Sequence, residues 1–216
     1  TLQILGEKGP YIVAGPSIGG VYTQAFARLY RSEVVGMVLI DSVSQDMVLR
    51  MPPQLFAGQR QALTMLRICQ VLTPIGLPRL IGLGKVAESS GLTEETRLAV
   101  ESTVYTYHAC GELVKALQSA ERMSSNSSSK PDFGDLPLIV LIRDENAIYA
   151  KPPKGLSMDV IREGEKIWME LQREHTRMST CGELIVAEGS GHYIYLARPD
   201  LVLESLRRVI AMVAGT

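Results

Sequence analysis

Cysteine is sparse in this sequence. The 216 residues contain three, Cys69, Cys110 and Cys181. They are odd in number and far apart, which excludes a disulfide framework or a zinc site. Free thiols of this kind fit a reducing cytoplasm, so a cytoplasmic location is expected. An excess charge of either sign is also missing. Lys and Arg total 22 against 23 Asp and Glu, a net charge of −1. That balance gives no reason to expect a nucleic-acid partner or an anionic membrane surface. Long apolar runs are absent as well. The most apolar stretch, Val71 to Leu83, is interrupted by Pro74 and Pro78 and is too short to span a bilayer. No secretory signal pattern is visible. The chain opens on Thr1, not methionine, which predicts a processed, trimmed or incomplete N-terminus.

What is there is a core. At 46% apolar content the chain can bury one substantial domain with an inserted subdomain. Tyr11 to Ala14 is a short apolar run, read as a buried strand. Ile18 to Arg31 carries Val21, Ala25 and Leu29 at four-residue spacing, with Tyr22, Phe26 and Tyr30 alongside. This predicts a helix largely buried under a sheet. Val34 to Ile40 and Leu138 to Ile142 are continuous apolar runs, as parallel strands covered on both faces require. Ser157 is a candidate cap for a helix bearing Ile161, Trp168, Leu171 and His175 on one face. Leu184 to Ala187 is the last strand. Pro199 opens a final helix with Val202, Leu206, Val209 and Val213 inward.

Residues 42–136 break this alternation. Pro-rich punctuation, then a helix capped by Thr93 and striped by Val100, Val104, Tyr107, Val114 and Leu117, predicts an inserted helical cap. A Ser-rich linker over 124–135 returns the chain to the sheet. The expected core is therefore 1–41 with 137–216. Strands alternating with helices imply an α/β fold with a mostly parallel sheet and right-handed crossovers.

The chemistry centres on Gly15-Pro16-Ser17-Ile18-Gly19, a G-x-S-x-G between the first strand and the first helix. That spacing puts a serine on a sharp turn, with small neighbours that allow close backbone approach. The start of the following helix favours developing negative charge, and the Ile18 N–H is a candidate oxyanion donor. A serine hydroxyl needs an adjacent base. His192, in Glu188-Gly189-Ser190-Gly191-His192, lies on a glycine-lined loop just beyond a strand. The other two histidines, His108 and His175, fall within helices and read as surface or packing residues.

These motifs, with Val35 to Ser42, Pro137 to Ile142 and Arg198-Pro199, resemble in their order the C-terminal two thirds of a serine α/β-hydrolase. The likeness covers nearly the whole chain. It implies a carboxylic ester hydrolase, lipase- or esterase-like, working through an acyl-enzyme, with no metal or organic cofactor. The alternative is a catalytically weak or inactive relative that binds small molecules. Two positions compete for the acid. Asp41 ends an uninterrupted apolar run, as a buried orienting carboxylate should. Asp144 sits between Arg143 and Glu145, in what reads as a solvated charge cluster. Asp41 is favoured, Asp144 being the alternative. Apolar residues of the cap, among them Leu77, Leu80, Ile81 and Leu83, point to an apolar acyl group, although ordinary cap packing explains them too.

The sequence departs from the family in two ways. Pro16 stands where histidine is common, removing a backbone donor. Almost nothing precedes Tyr11, so the strands expected there and the loop giving a second oxyanion donor are missing. The first strand should then be an exposed apolar edge, covered by a second fragment or in a homodimer.

Overall fold

The computed structural model describes residues 3–80, 93–104, 111, 112, 114, 115, 118, 131–150, 152, 153 and 155–215. Four strands, β1 (Tyr11–Pro16), β2 (Val34–Ile40), β3 (Leu138–Arg143) and β4 (Gly182–Ala187), form one parallel sheet in that order. The helices are α1 (Gly19–Leu29), α2 (Met47–Arg50), α3 (Gln59–Leu72), α4 (Leu77–Leu80), α5 (Glu94–Val104), α6 (Glu145–Ala150), α7 (Met158–Thr176), α8 (Ile194–Ala197) and α9 (Pro199–Ala214).

Both central strands are buried on both faces because their side chains alternate between two cores. Met37, Leu39, Leu138 and Val140 point to one core, with Ala27 and Phe26 of α1. Val38, Ile40, Ile139 and Leu141 point to the other, with Val202, Leu206, Val209 and Val213 of α9. Burial of one such aliphatic side chain is worth about 1.5–3 kcal/mol. α7 packs on β3 and β4. Ser157 caps it, its Oγ accepting from the Val160 N–H at 3.4 Å, and Ile161, Trp168, Leu171 and His175 are buried.

Register is what positions the site. Pro16 pairs with Ile40, Ile40 with Leu141, and Arg143 with Ala187. The C-terminal ends of all four strands therefore lie along one sheet edge, where α/β folds place their ligands.

Several expectations need correction. α1 buries Gly20, Val21, Thr23, Gln24 and Ala27. Leu29 is 78% exposed, and Tyr22 and Tyr30 are also exposed. Among the described residues β1 has only β2 beside it, and α1 packs on these two strands. β1 is half-buried, with Ala14 exposed. Phe133 is buried in the core, which anchors the last part of the expected linker, while Asp132, Gly134 and Asp135 beside it are exposed; 124–130 lies outside the described residues. Thr93 does cap α5, accepting from the Thr96 N–H at 3.3 Å, and Val114 is buried. Tyr107, His108, Cys110 and Leu117 lie outside the described residues. No described helix is long and apolar enough to cross a membrane.

Candidate active site

β1 turns into α1 at Ser17, whose φ is +50°. A non-glycine residue in the left-handed region costs about 1–2 kcal/mol and persists only where its surroundings hold it. Here the Ser17 N–H donates to Ile40 O at 3.0 Å, and Ser17 O accepts from Gly20 and Val43. The turn also requires missing side chains. A Cβ on Gly15 would stand 2.2 Å from Thr23 Oγ1 and 2.6 Å from Gly19 O, and one on Gly20 would stand 2.2 Å from Ser42 Oγ. Pro16 fits because β1 is an edge. The Ser17 N–H faces β2, so the preceding nitrogen faces the open side and loses no ladder bond.

Three side chains meet above this edge. Ser17 Oγ lies 3.0 Å from His192 Nε2. His192 Nδ1 lies 2.6 Å from Asp41 Oδ2. Asp41 follows the last residue of β2 and is fully buried, with φ +43°. Ser17 and Asp41 are the described non-glycine residues with positive φ. The Asp41 carboxylate also accepts from Trp168 Nε1 at 2.8 Å, Arg143 Nη1 at 2.9 Å and the Arg143 N–H at 3.3 Å. Burial pushes its pKa up, but the His192 hydrogen bond, the Arg143 charge and the Trp168 donor outweigh it and hold it below the ordinary carboxylate value. An ionised Asp41 accepts the Nδ1 proton, leaving Nε2 free to take one from Ser17.

Asp144 does not join this chain. Its Oδ1 accepts from the Asn146 N–H and its Oδ2 from the Gly189 N–H, each at 3.0 Å. It opens α6 and ties β3 to the loop that carries His192. The Ile18 N–H makes no hydrogen bond to any described residue and lies next to Ser17 at the head of α1. Of the residues expected to line an acyl pocket, Leu77 is half-buried and Leu80 is 84% exposed; Ile81 and Leu83 lie outside the described residues. Among the described residues no cluster of His, Cys, Asp and Glu could hold a metal.

No family model matches the chain. It is 23% identical over 210 residues to an uncharacterized protein of Schizosaccharomyces pombe, covering 94% of this chain and 34% of that protein. It is 22% identical over 220 residues to a probable transporter of Hormonema carpetanum, covering 97% and 30%. The chain thus spans about a third of the length of the curated relatives it matches. Among solved structures it is similar to a thermophilic esterase from Thermogutta terrifontis, with TM-score 0.55 and 22% identity over 98% of this chain and 68% of that one. The chain has an α/β-hydrolase fold. A carboxylesterase of Nitrososphaera gargenis (TM-score 0.47, 16% identity, 99% and 69% coverage) and an α/β-hydrolase fold protein from Nakamurella multipartita (0.45, 15%, 100% and 73%) also match.

Within this α/β-hydrolase fold, sequence reasoning missed three residues around Asp41. Arg143 was expected in a solvated charge cluster but is 8% exposed. Its Nε and Nη2 donate to the two Glu165 oxygens at 3.1 and 2.6 Å, and its guanidinium lies 4.4 Å from the centre of the Trp168 ring. Burial works against the Arg143 charge, but Asp41 and Glu165 outweigh it and raise its pKa. One signal was available. Glu165 lies on the inward stripe of α7, between Ile161 and Trp168, where an unpaired carboxylate would be costly.

Proposed function

We propose that this chain is a serine hydrolase acting on carboxylic esters of small molecules. Ser17 Oγ attacks the carbonyl carbon while His192 Nε2 takes its proton. Asp41 orients the ring and stabilises the imidazolium. His192 then returns the proton to the departing alcohol, leaving an acyl group on Ser17, and water releases the acid by the same steps. The Ile18 N–H, at the positive end of α1, stabilises the oxyanion. One observation carries this reading: the unbroken path Ser17 Oγ, His192 Nε2, His192 Nδ1, Asp41 Oδ2, with separations of 3.0 and 2.6 Å. The likeness in fold to an esterase adds an analogy and no more.

Fluorophosphonate labelling, with the modified peptide identified by mass, tests it. Labelling at Ser17 that disappears in Ser17→Ala is the expected result. An unlabelled, folded chain that leaves a short-chain p-nitrophenyl ester at the background rate overturns it.

A further inference from the structure

The residues around Asp41 form more than a support. Each carboxylate oxygen receives two donors: Oδ1 from Trp168 Nε1 and the Arg143 N–H, Oδ2 from His192 Nδ1 and Arg143 Nη1. Four donors on two oxygens leave the carboxylate no free rotation. Arg143 in turn is held by two bonds to Glu165 and by the Trp168 ring beneath it. Asp41, Arg143 and Glu165 are all buried.

The charges decide what this arrangement does. A lone buried arginine against Asp41 would cancel the charge that stabilises an imidazolium. Glu165 restores it. Asp41, Arg143 and Glu165 together carry −1, and a proton on His192 brings the cluster to zero. We propose that Arg143 is a positioning residue that fixes the Asp41 carboxylate toward His192, and that Glu165 is the counter-charge that keeps Asp41 available to the protonated ring. This rests on the ester-hydrolase reading of Ser17, His192 and Asp41. Tyr149 of α6 lies within electrostatic reach of Glu165, and Glu145 and Arg162 lie beside Tyr149 in turn. None of the three is among the hydrogen-bond donors to Asp41.

Three variants test the proposal. Arg143→Met/Glu165→Met removes one charge of each sign, so the cluster keeps its net −1 and neither member of the pair is left buried without the other. Its kcat on a short-chain p-nitrophenyl ester should fall about 10-fold, with KM within about twofold, because the loss is one of orientation and not of binding. Arg143→Lys keeps the charge but loses the fork and should fall part of the way. Glu165→Gln leaves the cluster neutral before His192 is charged. The pH at which the His192 ring signals change in NMR should then move down by about half a unit. The acid limb of kcat/KM should move with it.

A folded double variant with wild-type kcat, or a Glu165→Gln chain whose His192 titration is unmoved, overturns the proposal. If the double variant does not fold, the Glu165→Gln titration decides alone. That titration needs no turnover, so it stays informative if the wild-type chain resists fluorophosphonate. The resistance would then count against hydrolysis and not against the charge arrangement.

Discussion

His192 Nδ1 approaches Asp41 Oδ2 to 2.6 Å although 151 positions of sequence separate them. β2 ends at Ile40 and β4 at Ala187, with β3 between them. The contact exists because parallel strands in register finish along one edge. The carboxylate that meets His192 therefore comes from the strand next to β1, and Asp144, one strand further on, is committed to Asn146 and Gly189.

Replacement of Asp41 by Asn should lower kcat by about 10³–10⁴, since the ring loses both its tautomer and its partner charge. Asp144→Asn should leave kcat within about twofold. Steady-state kinetics of both variants on one ester checks the pair. Equal losses would remove Asp41 from the proposed role.

Ser17→Ala should reduce ester hydrolysis by at least about 10³-fold. The thermal midpoint should hold or rise slightly, because alanine loses only a half-buried hydroxyl while the φ of +50° stays costly. Calorimetry beside the assay separates loss of chemistry from loss of fold.

Acid should destabilise the native state through Asp41. Its folded pKa lies below the ordinary 3.8. A group depressed in this way contributes stability in full above its unfolded value, and that contribution is lost as pH falls through the folded one. The midpoint of the wild type should therefore drop on acidification below about pH 4, and that of Asp41→Asn should drop less steeply. Thermal melts from pH 6 to pH 2 measure both slopes.

Gly15→Ala should be costly because the new Cβ meets the Gly19 backbone at 2.6 Å. A loss of about 2–3 kcal/mol is expected, as for other overpacked sites, with weaker labelling of Ser17 as the turn shifts. Gly191→Ala is the control. No atom lies within 4 Å of its added Cβ, so denaturant midpoints should change little.

α1 shows where sequence pattern runs out. Its apolar residues at four-residue spacing announced a helix correctly, but Leu29 and Tyr30 face outward, with no strand beyond β1 among the described residues. Periodicity reports which residues share a face and not how much sheet lies under it. Arg143 gives the converse case. Local charge placed it beside Asp144 and Glu145 in water. Its partners are Asp41 and Glu165, 102 positions before and 22 after it.

The strands, the serine turn and the glycine-lined histidine loop were legible in the sequence, because each rests on local chemistry: apolar runs, small residues at a bend, a cap at a helix start. Which aspartate meets His192, and which groups surround it, were fixed only by strand order and register. Those depend on long-range pairing and on which side chains share the sheet edge, and a charge that looks solvated in one dimension can be enclosed in three.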